Sequence, residues 1–408
     1  MSSSPAPAAG SASQPALAPP TRSIVLLAIA AFASAANIRV PDALLPQVAG
    51  DFAVSVGTAS IIVTGYTIAY GVLQAFYGPV GDRFGKYQVI ALTTMLSALA
   101  TFACAFAPSL TVLAAARFVA ASASCAVIPL AMAWVGDVVP YDQRQGMLSK
   151  FISGQILGMI FGQIAGGILG DLIGWRMVFV VVSGVYVLAG LALYAEMRRD
   201  PRTRTASNPH ASLNPAVVVA QFAALLRRKW VRVVLFAVFV EGLLFFGAFA
   251  FVGNELHERF GLSFTVVGLA LTAYGAGGLT YAFTSRHLLR LLGERGLVMG
   301  GSAVLLLAFV GLALAPSLPW AVLSILLAGL GFYMFHNTLQ TNGTQMSPEA
   351  RGSGVAMFAS SLFVGQSVGV ALAALVVDRH GAVPVFLASA ALLPAIGWYF
   401  AGALRRRP

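Results

Sequence analysis

Charge is what this sequence lacks. Only 10% of its 408 residues are Asp, Glu, Lys or Arg, 58% are hydrophobic, and the mean hydropathy is +0.84. A soluble domain is roughly a quarter charged, so a water-exposed surface of this size is excluded, and the chain reads as an integral membrane protein facing lipid. Acidic residues are the scarcer sign, 14 against 25 basic, for a net charge of +11. Nucleic-acid binding needs basic side chains gathered on one folded soluble face. Here they fall in short clusters between apolar runs, and that class is set aside. Cysteine is nearly absent too. Cys104 and Cys125 lie inside apolar segments without ligand-like spacing, which excludes a disulfide framework or a metal site and leaves buried structural thiols. No metal-ligand cluster and no phosphate-binding Gly-Lys-Ser/Thr run occurs. Neither an enzyme nor a cofactor is expected.

What is present is a succession of apolar runs. A bilayer crossing needs roughly 20 such residues. Runs of that kind lie near 23–45, 57–77, 88–107, 111–135, 145–169, 175–195, 231–253, 264–284, 297–315, 319–341, 353–377 and 383–403. Residues 1–22 open with Ser, Pro, Ala and Gly and read as a disordered tail. Arg22 precedes an apolar run ending Ala33-Ser34-Ala35, as in a signal peptide. That run continues through Asn37 to Pro46, so it belongs to the body of the protein. The polar, basic stretch 196–230 divides a six-helix part, 23–195, from a second, 231–403, and a basic tail follows at 404–408.

Lys and Arg fall overwhelmingly on one side of this topology. With the N-terminus inside, 20 of the 25 are cytoplasmic, including Arg83, Lys86, Arg144, the linker cluster and Arg405 to Arg407. Arg176, Arg259 and Arg379 lie outside, while Arg39 and Arg117 lie within the membrane. This bias places both termini in the cytoplasm.

The two parts repeat each other. Gly158, Gly162, Asp171, Gly174 and Phe179 recur 207 residues later as Gly365, Gly369, Asp378, Gly381 and Phe386. Thr64, Tyr66 and Gly85 recur 208 residues later as Thr272, Tyr274 and Gly293. Six spans separate equivalent helices, an even number, so the repeats are parallel. Parallel repeats put a substrate site at their interface near the bilayer midplane.

Several residues in the spans and their connections carry chemistry. After the second span the chain reads Gly78-Pro79-Val80-Gly81-Asp82-Arg83-Phe84-Gly85-Lys86. Gly78 permits close helix approach and Gly85 a tight turn. Asp82 can accept from a neighbouring helix N-terminus or an arginine, a contact able to hold one conformation. An ordinary polar turn is the competing reading. Arg117 lies inside span four, where a cation costs several kcal/mol unless paired or hydrated. The residue 207 later is Ser324, so the charge is not scaffold common to both repeats. Arg39 and Asp42 lie at comparable depth in span one, and an Asp42–Arg117 pair modulated by Arg39 is expected, as a functional pair or a fixed structural one. Glu241 sits near the middle of span seven with no cation close by in that helix. Hydrocarbon depth opposes its ionised form, which makes it a candidate proton carrier; a neutral carboxyl held by a helix–helix hydrogen bond is the alternative.

Polar and aromatic stripes mark candidate cavity walls: Asn37 on span one, Tyr66, Tyr70 and Gln74 on span two, and Gln155 and Gln163 on span five. Span ten adds Tyr333, His336, Asn337 and Gln340, where His336 is expected to make an interhelical hydrogen bond near the cytoplasmic side. Gly154, Gly158, Gly162 and Gly166, with Gly167 beside them, form a smooth stripe for close packing.

Residues 78–86 resemble the signature of the major facilitator superfamily, G-x-x-x-D-R-x-G-x-[RK], with Lys86 one position early and Tyr87 in the usual basic place. Leu113 to Arg117 is similar to that family's L-x-x-x-R-x-x-Q-G, with Ala120 and Ala121 in place of Gln-Gly. Gly162-Gln163-Ile164-Ala165-Gly166-Gly167 resembles the G-P-x-x-G-G of the drug/sugar–proton antiporter branch, with Gln for Pro, and Asp171 to Phe179 resembles the same branch. The resemblance spans residues 23–403. It implies an all-α membrane protein, twelve transmembrane helices in two parallel six-helix repeats. It also implies a secondary active transporter exporting a small organic solute, a drug or sugar-like metabolite, in exchange for protons. Solute–proton import and a non-transporting membrane sensor are the alternatives. The expected partners are that solute, protons and the lipid of the inner or plasma membrane, with the protein a monomer.

Overall fold

The structure is a computed structural model that describes residues 20–204, 208, 210, 212–347 and 351–406. The expected tail, up to residue 19, and Arg407 of the basic C-terminus lie outside the described residues. Among the described residues every regular element is helical. The first crossing is built from α1 (Thr21–Arg39) and α2 (Pro41–Asp51), the second from α3 (Val56–Ala59), α4 (Ile61–Leu73), a 3-10 turn and α5 (Tyr77–Phe84). Then come α6 (Lys86–Ala105), α7 (Leu110–Ser124) with α8 (Val127–Val138), and the long α9 (Tyr141–Arg199). After α10 (Pro215–Leu226), the second repeat runs through α11 (Lys229–Phe249), α12 (Val252–Phe260), α13 (Phe264–Leu271) and α14 (Ala273–Ala313). It ends with α15 (Leu318–Gln345), α16 (Arg351–His380) and α17 (Val383–Arg405).

Among the described residues, ten stretches are long and apolar enough to cross a membrane. Two of them, at 54 and 50 residues, are twice the length of one crossing and fold back at a single glycine, which gives twelve crossings. Those glycines are Gly174 (φ 77°) in α9 and Gly293 (φ 64°) in α14. Their repeat partners Gly381 and Gly85 also have positive φ, at 74° and 92°. The backbone therefore carries the same four turns that the 207- and 208-residue offsets pair. Only glycine enters this region without strain.

The expected boundaries need three corrections. The first helix starts at Thr21, inside the stretch assigned to the tail. The linker 196–230 contains the last turn of α9, a 3-10 turn at Pro201–Arg204 and the helix α10. The final helix continues to Arg405, so the basic tail is largely helical as far as it is described. Local apolar and helix-forming composition extends these helices past the ends of the apolar runs.

Close packing follows from the glycine stripe. A methyl on Gly154, Gly158, Gly162 or Gly166 would collide in turn with the carbonyl oxygen of Ala28, Phe32, Ala36 or Val40. α1 thus lies directly on α9, backbone to backbone. The second repeat copies the contact: Gly365 and Gly369 of α16 face the carbonyls of Phe239 and Leu243 of α11. Lipid gives helices no hydrophobic reason to associate, so this close approach supplies the dispersion contacts that hold each repeat together. Large apolar side chains such as Leu92, Leu188 and Trp398 are exposed on the outer helices, as a lipid-facing surface requires.

Gly158→Leu should lower the thermal unfolding midpoint of the detergent-purified protein. Overpacking costs about 1–3 kcal/mol where a core can yield, and backbone cannot yield. Gly184→Ala is the control, at a glycine of the same helix with nothing within 4 Å, and should leave the midpoint unchanged. A wild-type midpoint for Gly158→Leu would rule out the stripe as a packing contact.

Candidate functional site

Arg117 is almost completely buried on α7, and its charge is answered by Asn37. Nη1 donates to the Asn37 carbonyl at 3.0 Å and to Asn37 Oδ1 at 2.7 Å, and Nε donates to the Ile62 carbonyl at 3.4 Å. The guanidinium lies 4.0 Å from the centre of the Tyr66 ring. The reason lies four residues past Asn37, at Pro41. In a helix the N–H at that position would satisfy the Asn37 carbonyl, and proline has none. The orphaned oxygen takes its hydrogen bond from Arg117 instead. Asn37 Nδ2 donates to Thr101 Oγ1 at 3.0 Å, so Asn37, expected along the cavity, is committed to both neighbours.

The expected Asp42–Arg117 pair is therefore not formed. Asp42 lies beyond the break at Pro41, more than a helical turn further along, and its nearest cation is Arg39, with Nη1 3.6 Å from Asp42 Oδ2. Both side chains are about 5% exposed or less. Arg39 reaches across to the second repeat, 4.6 Å from the centre of the Phe246 ring and 5.9 Å from that of Tyr274. Gln163 is buried at the same junction, where its carbonyl meets Gly268 of α13.

Glu241 has a partner that its own helix could not reveal. His336 of α15 places Nδ1 2.8 Å from Glu241 Oε2, while Oε1 has no hydrogen bond within the described residues. Glu241 is fully buried, but His336 keeps 13% of its side chain exposed. The imidazole stacks on Phe332 (4.8 Å between centres, 10° between planes), and Phe332 touches Phe246 at 5.2 Å. One aromatic path thus leads from Arg39 through Phe246 and Phe332 to His336 and Glu241. The interhelical hydrogen bond expected of His336 is present, and its partner is this carboxyl.

The cavity candidates divide between the repeats. Tyr66, Tyr70 and Gln74 are all buried. Tyr70 lies 4.6 Å from Phe363 of α16, and the hydroxyls of Ser34, Ser124 and Tyr186 continue inward from it. On α15, Tyr333, His336, Asn337 and Gln340 form the more accessible face of an otherwise buried stretch. Asn337 Nδ2 donates to Tyr281 OH at 2.9 Å. Gln155 is half-buried on α9.

At the basic end, Lys86 Nζ lies 2.7 Å from Asp82 Oδ1 and 2.7 Å from Asp137 Oδ2. Asp82 was expected to meet a helix N-terminus or an arginine. Its partner is this lysine, at the start of α6 just past the Gly85 turn. Helix periodicity does not reach across that turn, so the lysine was missed, as was Asp137 from the end of α8. Gly78 has nothing within 4 Å, so the close approach belongs to Gly81, which packs on Leu130. Gly85 makes the turn, and Arg83 is exposed with its guanidinium 5.7 Å from the Phe84 ring.

The opposite end is closed by two matching contacts that sequence reasoning marked as repeats but not as functional. Asp171 of α9 accepts from the backbone N–H of Phe264 (3.2 Å) and of Thr265 (2.5 Å) at the start of α13. Asp378 of α16 accepts from Gly57 N (2.8 Å) and Ser55 Oγ (2.6 Å) at the start of α3. Each carboxylate caps a helix of the other repeat, where free N–H groups and the helix dipole favour an anion.

The family profile described as Major Facilitator Superfamily matches residues 27–370 and again 234–408. The MFS-type transporter YwfA of Bacillus subtilis (strain 168) is 26% identical over 367 residues, 90% of this chain and 88% of that protein. The transporter YgaY of Escherichia coli (strain K12) is 27% identical over 400 residues, 92% of this chain and 94% of that protein. Among solved structures, the nucleoside transporter NupG superposes with a TM-score of 0.76 at 16% identity, covering 93% of this chain and 99% of that one. A bacterial homologue of the lysosomal transporter Spinster, in an inward-facing and unoccupied conformation, gives 0.73 at 18% identity, covering 95% and 97%. At these identities the structures speak for the fold.

Double-mutant cycles distinguish the two partners proposed for Arg117. Arg117→Ala with Asn37→Ala should show a coupling of about 1–3 kcal/mol in unfolding free energy. Arg117→Ala with Asp42→Asn should be additive to within about 0.5 kcal/mol. Coupling in the second cycle and none in the first would reverse the assignment.

Proposed function

The chain belongs to the Major Facilitator Superfamily and is a multi-pass transmembrane transporter; from that premise we propose that it exports a small organic solute in exchange for protons. The observation that carries this reading is the Glu241–His336 pair. A fully buried carboxyl with one oxygen unbonded is costly as an anion in hydrocarbon, and a proton relieves that cost. His336 is the accessible member and the route by which the proton arrives or leaves. The glycine run on α9 resembles the antiporter branch and supports export over import. The distribution of Lys and Arg supports a cytoplasmic basic end and cytoplasmic termini.

In this scheme the parts at 23–195 and 231–403 rock about a central site, as in alternating access. With the outer end clasped by Asp171 and Asp378, the site is reached from the cytoplasm. The solute lies against the accessible face of α15, with Arg39 and its aromatic shelf closing the outer side. Asp82, Lys86 and Asp137 act as a latch on the balance between the two states. The solute is a drug or sugar-like metabolite, carried by a monomer.

Inside-out vesicles carrying an imposed proton gradient test the scheme. An exporter dissipates the gradient when its solute is added outside them, an importer does not, and a sensor binds without flux. Glu241→Gln keeps shape and hydrogen-bonding capacity but cannot titrate. Its solute binding should lose the pH dependence of the wild type, and proton-driven accumulation should stop. Accumulation by this variant at the wild-type rate would remove Glu241 from the mechanism.

The latch gives a separate expectation. Asp82→Asn should leave solute affinity unchanged while slowing turnover, because it acts on the two-state balance and not on the site. Unchanged turnover would leave the 78–86 loop as an ordinary polar turn.

A further inference from the structure

A second concave site lies away from the central path, at the basic end of the second repeat. It is a cleft of about 370 Å³ between the first two turns of α11 and the second and third turns of α16, roofed by α10. Phe222 and Leu226 of α10, Arg232 and Phe236 of α11, and Ser360 and Ser361 of α16 line it. Its chemistry is divided. One wall is apolar, and Phe236 on that wall is 52% exposed and packs edge-on against Tyr399 of α17 at 5.7 Å. The exposed side chains of Tyr399 and Trp398 put this wall on the lipid-facing surface. One turn before Phe236 on the same face of α11 stands the Arg232 guanidinium, and across from it on α16 Ser360 Oγ is buried without a hydrogen-bond partner within the described residues.

The roof points the same way. α10 has twelve residues and no charge, and only Val218 and Leu225 are buried on it. Val217, Val219 and Leu226 stay exposed, and the helix runs directly into Arg227, Arg228, Lys229 and Arg232. It is too short to cross a bilayer. An uncharged apolar helix flanked by cations is at home in the plane of the headgroups. That depth also fits Arg232, which marks the edge of the apolar stretch of α11.

We propose that this cleft binds one anionic phospholipid, its phosphate on Arg232 and the serine hydroxyls and its acyl chains along Phe236 and Leu226. Arginine is weakly hydrated and matches phosphate geometry, hydroxyls donate to phosphate oxygens, and the apolar wall continues into the surrounding bilayer. A zwitterionic lipid brings its own cation to a basic rim and is disfavoured there.

The test uses the full chain purified in detergent, with native mass spectrometry and thermal unfolding. Phosphatidylglycerol and phosphatidylcholine of identical acyl chains are added in parallel, with glycerol phosphate as the free headgroup. The expected result is one phosphatidylglycerol retained per protein, with an upward shift of the unfolding midpoint that phosphatidylcholine and glycerol phosphate do not give. Arg232→Gln should weaken retention at least fivefold, the effect expected of one basic residue at an anionic surface. Arg290→Gln, at an exposed arginine on the same end, should not. Ser361→Leu fills the cleft without changing charge and should also abolish retention, which keeps the test decisive if Arg232→Gln misfolds. Equal retention of the two lipids overturns the proposal. So does undiminished retention by Ser361→Leu, or an equal midpoint shift with glycerol phosphate.

Discussion

Hydrocarbon offers no water to a cation and no donor to a carbonyl, so every polar group inside the membrane must be answered by another within the protein. The first repeat meets this constraint with a single exchange. Pro41 removes the hydrogen bond that would satisfy the Asn37 carbonyl, and Arg117 supplies it from α7. One interaction thereby closes two deficits, the orphaned oxygen and the buried guanidinium. It requires α1 to sit at a fixed depth against its neighbours, and the glycine stripe of α9 sets that depth by meeting the α1 carbonyls directly. A side chain at Gly158 or Gly162 would move α1 and unmake the Arg117 contact at the same time.

The second repeat keeps the packing and changes the charge. Gly365 and Gly369 press α16 onto α11 as Gly158 and Gly162 press α9 onto α1, yet Ser324 stands where Arg117 would recur. Its buried charge is Glu241, held by one hydrogen bond to an imidazole that stays partly accessible. The contrast is between a permanent cation bound to backbone and a carboxyl bound to a partly accessible imidazole.

Much of the fold was legible because it repeats. Equal offsets between Gly85 and Gly293, and between Gly174 and Gly381, located turns whose backbone has positive φ, and the apolar runs located the crossings. The pairing of charges was harder, because residue counting measures depth along a helix and not the direction a side chain takes after a break. Asp42 and Arg117 are at similar depth by count, but Pro41 separates Asp42 from the helical frame that holds Asn37. A proline four residues past a polar residue was the available signal. Gly78 was favoured over Gly81 by its place in the signature, although only Gly81 meets a neighbour. His336, Asp137 and the cross-repeat caps at Asp171 and Asp378 depend on which helices become adjacent. No local pattern in a single chain contains that. The helix α10 fell below the length of a crossing and was absorbed into the linker.

The break at Pro41 also ties the outer closure to the centre. Beyond it, α2 packs on the second repeat, where Gly253 of α12 meets the Asp42 carbonyl. Before it, α1 stays locked to α9. Arg39 sits on the last turn before the break, with Asp42 of its own repeat at a loose 3.6 Å and the Phe246 ring of the other repeat at 4.6 Å. Opening the outer end must part α2 from α12 and release the caps at the starts of α3 and α13. In the proposed rocking motion Arg39 travels with α1 and so leaves Phe246, whose face then loses the cation that covered it. Phe246 packs on Phe332, and Phe332 on the His336 imidazole. The ring that shields the Glu241–His336 pair is thus two contacts from the residue that outer opening displaces. In the proposed exchange the carboxyl needs no separate sensor of conformation, because the ring that shields it packs on the ring that Arg39 covers.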